Sequence, residues 1–474
     1  MFQANGITFL DYNDFILTPI YLFLIIICMY MFRNVALLNT PTRKYFITGV
    51  MVKIVGGIAV GLIYGFYYKS GDTFYYFYDS QTFNNSLKDG FGLFFKLLAL
   101  PAHTNTTATY DSTWWTTFFH DPSGWMVDKI YGVISIFTFH SYWVMAIVIS
   151  VLSFSGVWAL YMTFVDLYPQ LYKQLAYCVL FVPSVFFWGS GVLKDSITFG
   201  CLGWITYCSY SIFFKRKKVV RNGLILLITS YIALQVKAYI IISFLPALLF
   251  WIFLTYRSRI TNQFLRVISG PAVFSVSLVF GYLMVTRLGT EFSQFSLKNV
   301  MTTANTFQQW HTYLAENENA SGYSLGYIDG TWQSIIKTFP KAINVTLFRP
   351  YLWEARSVIV LASAVESTLI LGFTIYIFVK NGIRRPFAAM IKNPTIFFCI
   401  LFSLIFGISV GFTAYNFGAL VRYKIPCIPF YLVGLILLNH ITTEERLRIK
   451  AEQLKRRPAF RLGGAPLPQP ELTP

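Results

Sequence analysis

The chain has 474 residues, of which 55% are hydrophobic and 12% are charged, and its formal net charge is +18. This charged fraction is about half that of an average soluble domain, which excludes an ordinary soluble globular protein. A basic chain can bind nucleic acid, but here the basic residues separate apolar segments in the manner of membrane topology, so no nucleic-acid partner is expected.

About eleven apolar segments have the length of membrane-spanning helices and predict an all-α polytopic membrane protein. Short links rich in Lys and Arg separate many of them. In chain order, the predicted spans are residues 16–32, 46–68, 142–164, 174–189, 196–214, 222–236, 239–256, 264–286, 357–379, 394–412 and 424–439.

The basic residues predict the orientation of these helices. With the N-terminus outside, the cluster Lys215–Arg221, the pair Arg384 and Arg385, and the basic tail at 440–474 share one side. Cytoplasmic loops are enriched in Lys and Arg, so we assign that side to the cytoplasm. We therefore expect a single transmembrane domain over 1–439 in a bacterial cytoplasmic (inner) membrane, with a cytoplasmic C-terminal tail whose end is disordered.

Most acidic residues then fall in two long outer loops, 69–141 and 287–356. Long loops without structure of their own are uncommon. Amphipathic stretches such as 91–100 and 125–139 predict helices that lie in the membrane interface. These loops are the expected chemical face of the protein.

The first polar cluster, GDTFYYFYD at residues 71–79, follows the second span. A carboxylate held at the membrane surface among aromatic rings is partly desolvated, which makes it a stronger base toward a hydroxyl group. Asp72 is therefore a candidate catalytic base, Asp79 a candidate second carboxylate, and rings such as that of Tyr75 are candidate surfaces for a sugar. A structural role stays open, in which Asp72 caps the next segment and the tyrosines form an aromatic belt.

The second cluster, PSVFFWGSGVLKDS at residues 183–196, joins two apolar segments almost without a loop. Glycines permit a tight turn, and Asp195 or Ser196 can cap the next helix, whose positive end would face an anion beside Lys194. Lys194 and Asp195 are therefore candidate residues of a phosphate site. A helical-hairpin turn is the alternative, although it does not explain a Lys-Asp pair at the membrane boundary.

The third cluster, YNFGALVRYKIP at residues 415–426, places two cations on the side that otherwise has few of them. Arg422 offers a planar fork for phosphate oxygens and Lys424 a point charge, so both are candidate ligands of a phosphate or pyrophosphate group. The alternative is that both side chains reach toward lipid headgroups at the interface.

The remaining charged positions are less specific. In the segment LFRPYLWE, Arg349 could pair with Glu354 or shape an acceptor site. Lys237, between two short spans, could reach the same outer cavity or only mark a loop. Lys53 and Glu366 lie inside predicted spans, where a charge is by default a functional hypothesis.

Cysteine and histidine positions predict no metal cofactor. The six cysteines fall in apolar spans and are interpreted as packing residues, and the five histidines show no ligand spacing.

Together, the motifs GD followed by tyrosines, FWGSG leading to Lys194, and NFG leading to Arg422 resemble bacterial GT-C-type membrane glycosyltransferases and the related polysaccharide polymerases. The resemblance covers most of the chain in order and topology. It implies a polyprenyl-phosphate- or pyrophosphate-linked sugar donor, a glycan or lipid-linked acceptor, and transfer on the outer face without a nucleotide sugar. By position, Asp72 would be the base, with Lys194, Arg422 and Lys424 holding the lipid-linked phosphate.

The chain departs from the commoner GT-C pattern in two ways. An additional helix precedes the one that leads to Asp72, and the acidic motif is a single Asp. The second departure leaves metal use open, because Asp79 could supply another carboxylate while a lone base needs no ion. We favour a metal-independent inverting transfer as the hypothesis.

Two other classes of function stay as alternatives. A transporter or flippase of lipid-linked saccharides predicts polar residues along a path across the whole bilayer, for which Lys53 and Glu366 are the main support. A noncatalytic scaffold that docks partners through the basic tail would leave the outer charged clusters without a role.

Overall fold

The computed structural model describes residues 2–4, 6–104, 106–257, short stretches between 260 and 279, residues 322–326 and residues 331–456. Within these residues, seven helices are long and apolar enough to cross a membrane, or eight if the bent pair Phe417–Tyr423 and Ile428–Gln453 forms one broken span. The prediction of a helical multipass protein is confirmed in this coarse form, whereas the predicted count of eleven spans is not reproduced. The predicted span 264–286 lies for the most part outside the described residues, as do most of the second outer loop and the end of the tail.

The element bounds are as follows. A hairpin of β1 Phe2–Ala4 and β2 Ile7–Leu10 precedes the long helices α1 Tyr12–Ala36 and α2 Arg43–Leu62, the latter continued by a π-helical turn to Tyr68. Then come α3 Asp72–Asp79, α4 Gln81–Asp89, α5 Phe91–Ala99, α6 Thr107–Thr113, α7 Pro122–Phe137, α8 Tyr142–Leu167, α9 Tyr172–Leu180, α10 Pro183–Trp188, α11 Lys194–Tyr210 and α12 Val219–Arg257. The C-terminal part has α13 Trp332–Phe348, α14 Val358–Asn381, α15 Arg384–Lys392, α16 Pro394–Gly411, α17 Phe417–Tyr423 and α18 Ile428–Arg456.

The β-hairpin was not expected from the sequence. Its strands pair antiparallel, and Phe9 packs against the ring of Phe74 at a centroid distance of 4.8 Å. Strands of three and four residues are too short to produce a clear alternation of apolar and polar positions. Through Phe9, the hairpin contacts both Phe74 of α3 and Trp143 of α8.

Helix α8 forms the centre of the membrane domain, and most of its residues are buried. It packs against α11 through glycines: a side-chain Cβ at Gly156 would lie 1.9 Å from the carbonyl oxygen of Gly200, and one at Gly203 would lie 2.0 Å from the carbonyl oxygen of Gly156. Small residues allow two helices to approach with backbones in contact, as in other membrane proteins. This contact fixes the start of α11, where the second polar cluster lies.

Helix α12 folds back on itself at Lys237, whose backbone angles are not helical (φ −148°, ψ 77°). A straight helix of 39 residues would be about 58 Å long. Instead, Asn222 near one end binds the carbonyl of Lys217, and Tyr256 near the other end binds the carbonyl of Phe213. Both ends therefore lie beside the end of α11, and Lys237 lies at the apex beside its start. The break at Lys237 falls between the predicted spans 222–236 and 239–256, although α12 as a whole counts as one of the seven candidate spans.

The predicted span 174–189 is not one helix but two short ones, α9 and α10. Glu366 of α14 accepts hydrogen bonds from the backbone N (2.8 Å) and hydroxyl (2.6 Å) of Ser184, at the start of α10. At the other end, the ammonium group of Lys53 donates to the carbonyl of Gly189. A carboxylate at the N-terminus and a cation at the C-terminus both complement the dipole of α10. The two charges inside the membrane domain therefore hold this short helix in place.

The described residues of the predicted first outer loop, 69–141, form five helices, α3 to α7. Both amphipathic segments that were predicted to be helical are helical in the structure: 91–100 corresponds to α5, and 125–139 corresponds to α7. At the other end of the chain, α18 continues through residues 439 and 440 as far as Arg456, so the predicted boundary between membrane domain and tail falls within a helix.

Candidate functional site

Asp72 is the first residue of α3, directly after the π-helical end of α2 and a short turn. The turn depends on Gly71, which has φ 139° and whose Cα lies so close to Tyr64 that a Cβ would come within 2.2 Å of the ring. Only glycine combines this backbone conformation with this close contact. The sequence GD therefore places the Asp72 carboxylate against the end of α2.

Four charged side chains from four separate segments meet at this point. Arg422 of α17 donates from Nε to Asp195 Oδ2 (2.5 Å) and lies 3.3 Å from Asp72 Oδ2 through Nη1. Lys237, at the apex of α12, binds the other oxygen of Asp195 (2.5 Å). These contacts form a row of alternating charges, which we call the ion-pair series: Lys237, Asp195, Arg422 and Asp72. Its members are separated by up to 350 residues in sequence.

The exposure of the side chains differs sharply along the ion-pair series. The Asp195 side chain is 1% exposed and has a cation on each oxygen, whereas the Asp72 side chain is 49% exposed. A buried carboxylate with two cationic partners stays ionised and holds those partners in position. Of the two carboxylates in this series, Asp72 is therefore the one that is accessible from outside the protein. No described residue accepts a hydrogen bond from Nη2 of Arg422.

Lys194 forms a separate ion pair and is not a member of the ion-pair series. Its ammonium group binds Asp121 Oδ2 (2.9 Å) and the hydroxyl of Ser123 (2.7 Å), and it lies 5.8 Å from the centre of the Tyr76 ring. Burial alone would raise the pKa of Asp121, but the charge of Lys194 and hydrogen bonds from Lys194 and Ser123 outweigh burial and lower it. Since Tyr76 lies one turn after Asp72 on α3, Lys194 and Asp72 flank the same helix.

Aromatic rings surround these charges. Lys237 lies 4.8 Å from the centre of the Tyr423 ring, and the Tyr131 hydroxyl binds the carbonyl of Leu193, just before α11 (2.8 Å). Tyr75, the candidate sugar-stacking residue, has its ring edge-on to Phe118 at a centroid distance of 6.5 Å. A site with such walls suits a ligand that is both charged and apolar.

Asp79 lies at the far end of α3 from Asp72 and has a different environment. It is fully buried and accepts hydrogen bonds from the backbone N of Thr117 (2.8 Å) and of Phe118 (3.0 Å). Burial raises its pKa to about 6 despite these bonds, and burial together with the charge of Asp79 raises the pKa of nearby Asp128 well above its usual range. Asp79 therefore anchors the segment before α7 and does not meet Asp72.

Lys424, a predicted phosphate ligand, and Arg349, a candidate residue of an acceptor site, are both bound within the protein. Lys424 is fully buried and donates to the carbonyl of Arg349 (3.1 Å) and the hydroxyl of Ser367 (2.6 Å). The Arg349 guanidinium pairs with Glu354 through two nitrogens. The structure thus supports the open alternative in which Arg349 and Glu354 pair structurally, and none of their described contacts reaches Asp72.

Two roles were missed or misassigned from the sequence. Asp195 does not cap α11, whose N-cap residue is Leu193, but serves as the counter-ion of two cations. Asp121 was not singled out, although the segment Asp121-Pro122 has the form of a helix start, with a capping side chain before a first-turn proline. That signal marks the cap but not the pairing with Lys194.

Comparison with known proteins adds no family to this description. No protein-family model, no curated protein and no solved structure matches the chain. Within the part of the chain that the structure describes, no group of three or more His, Cys, Asp or Glu side chains converges as a metal site. The site is therefore interpreted from its own chemistry.

Proposed function

We propose that the chain is a membrane glycosyltransferase of the GT-C type, which uses a polyprenyl-phosphate- or pyrophosphate-linked sugar donor in the synthesis of a cell-surface glycan. The observation that carries the proposal is the contact between the half-exposed carboxylate of Asp72 and the guanidinium group of Arg422, 3.3 Å apart. A general base and a phosphate-binding cation are the two groups that such a transfer needs from the protein.

In the proposed step, the oxygen of an acceptor hydroxyl attacks the anomeric carbon of the donor sugar, and its proton passes to Asp72. The bond between the anomeric carbon and the phosphate oxygen breaks, and its electron pair leaves with the phosphate. Arg422 stabilises the charge that develops there. We propose this transfer as a metal-independent step, in which the guanidinium group of Arg422 supplies the positive charge beside Asp72.

The donor phosphate would take the place of Asp72 at Nη1 of Arg422. The Asp72 pair is the longer and more exposed of the two pairs that Arg422 makes, so it is the one a ligand can replace. Asp195 and Lys237 keep Arg422 in position meanwhile. We assign no donor contact to Asp79, Lys424 or Arg349, because each is bound within the protein; Lys194 would orient α3 and the loop before α7.

The transporter alternative loses its two main supporting residues. Glu366 caps α10 at Ser184, and Lys53 binds the carbonyl of Gly189. Both charges thus satisfy the backbone of a short helix rather than line a path for substrate. These contacts favour an enzyme over a flippase.

The test is mass spectrometry of lipid-linked saccharides and surface glycans in bacterial cells that express the wild-type chain, Asp72→Asn or no chain. The matched control is Asp89→Asn, which alters an exposed carboxylate at the end of α4. We expect the donor to accumulate without the chain and with Asp72→Asn, and to be consumed with Asp89→Asn. Purified protein with donor and a soluble acceptor should form the glycosidic bond, which a flippase would not do. Full activity of Asp72→Asn at equal expression would refute the proposal.

A further inference from the structure

We propose that His103 and His120 form a two-ligand Zn²⁺ site on the first outer loop. His103 lies between α5 and α6, and His120 lies between α6 and α7. Both side chains are exposed, their Nδ1 atoms are 3.4 Å apart, and their ring centroids are 5.3 Å apart. The two residues are 17 positions apart, which no local ligand motif covers.

These two distances match a shared tetrahedral ion. Two imidazole nitrogens, each about 2.0–2.1 Å from a tetrahedral Zn²⁺, lie about 3.3–3.4 Å apart. If both lone pairs point at the ion, the ring centroids lie about 5.1–5.3 Å apart. Ligands at a right angle, as in square-planar Cu²⁺ or octahedral Ni²⁺, would need nitrogens roughly 2.8–3.0 Å apart.

A long hydrogen bond between the rings is the alternative at this distance of 3.4 Å. In that bond, one Nδ1 would carry the proton and the other would accept it. In a Zn²⁺ site, both rings would carry hydrogen on Nε2 and present the Nδ1 lone pair to the ion.

The backbone holds the pair together without the ion. His103 has φ 63°, in the left-handed region, and its N–H donates to the carbonyl of Phe119 (3.3 Å), the residue before His120. Left-handed backbone costs energy for a residue with a side chain and recurs where a site requires it. Phe119 itself is buried and fixes the second loop.

An ion at this position would join the two loops next to the proposed active site. Residues 117–121 also supply the backbone bonds to Asp79 and the carboxylate that pairs with Lys194. Two protein ligands leave two positions for water, so we expect reversible binding and not a structural zinc site. The inference stands apart from the proposed glycosyl transfer.

The experiment is a titration of ZnCl₂ into the purified, EDTA-treated chain without a histidine tag, followed by calorimetry. Variants are His103→Ala, His120→Ala and the more conservative His120→Gln, and His440→Ala is the matched control in α18. We expect one equivalent of Zn²⁺ to bind wild type and His440→Ala. Loss of a direct ligand should weaken binding by at least about 10–100-fold, the cost known for loss of an outer-shell partner.

Two further readings make the result decisive. Unfolding curves without metal should coincide for wild type and the histidine variants, because both side chains are exposed. Co²⁺ in place of Zn²⁺ should give the intense visible absorption of a tetrahedral ion in wild type and lose it in His103→Ala. Absence of saturable binding by wild type, or unchanged binding by either single variant, would overturn the proposal.

Discussion

The variants Asp195→Asn and Asp72→Asn should distinguish a residue that stabilises the site from a residue that takes part in the proposed reaction. Asp195 is 1% exposed and is the counter-ion of Lys237 and Arg422, so Asp195→Asn leaves Lys237 without its acidic partner and Arg422 with only the more exposed contact to Asp72. Removal of one partner from a buried ion pair costs about 3–5 kcal/mol of stability. Asp72 is 49% exposed, and an ion pair at such a site contributes about 0–1 kcal/mol.

Activity should follow a different order. Loss of the proposed general base should lower the rate by about 10²–10⁴-fold. Asp72→Asn should therefore be almost inactive although it is nearly as stable as wild type. The free energy of unfolding in detergent micelles and the rate of glycosyl transfer measure the two effects. Asp195→Asn combined with Lys237→Met removes the cation that has lost its acidic partner and should recover part of the lost stability.

Either of two results would refute this reasoning. If Asp195→Asn were as stable as wild type, Asp195 would not be the counter-ion that holds Arg422. If Asp72→Asn were the less stable of the two, the contrast in burial would not govern the site.

Three further variants test other parts of the structure. Asp79 should contribute a loss of stability of up to about 3 kcal/mol as pH rises from about 4 to 6, because burial raises its pKa to about 6 and the folded state binds the extra proton. Asp79→Asn should remove this contribution from pH-dependent unfolding, while the contribution of Asp128, whose pKa is also raised, remains. Glu366→Gln should cost about 1–2 kcal/mol by weakening the cap at Ser184, with donor KM unchanged. Lys424→Met leaves the carbonyl of Arg349 without this hydrogen bond and should lower the free energy of unfolding by about 1–3 kcal/mol, with the KM for the sugar donor unchanged. A large rise in that KM would show that Lys424 binds the sugar donor.

The sequence predicts the helical multipass architecture because apolar length is a local property of the chain. It also singles out Asp72, Asp195 and Arg422, since each interrupts an apolar pattern. What it does not contain is which charge meets which: Asp195 pairs with a residue 42 positions away and with another 227 positions away. From its local sequence alone, Asp195 follows a glycine-containing turn and is expected to cap a helix. Only the tertiary contacts show that it pairs with two cations.

Other differences have local signals that were outweighed. The break between α9 and α10 falls before Pro183, where a residue is driven out of helical conformation, yet the uninterrupted apolar run favoured one span. His103 and His120 have no such signal. Their approach depends on a left-handed backbone at His103 and on a contact with Phe119 that no spacing rule contains.

The order in which the ribosome makes the charged residues has a consequence for biosynthesis. Lys237 follows Asp195 by 42 residues, so this pair can enter the bilayer together as a neutral unit within one helical hairpin. Arg422 emerges 227 residues after Asp195, which at about 5–20 residues per second is a delay of roughly 10–45 s. During that interval the nascent chain lacks Arg422, so the site is incomplete. A premature stop before residue 422 would therefore remove the cation beside Asp72.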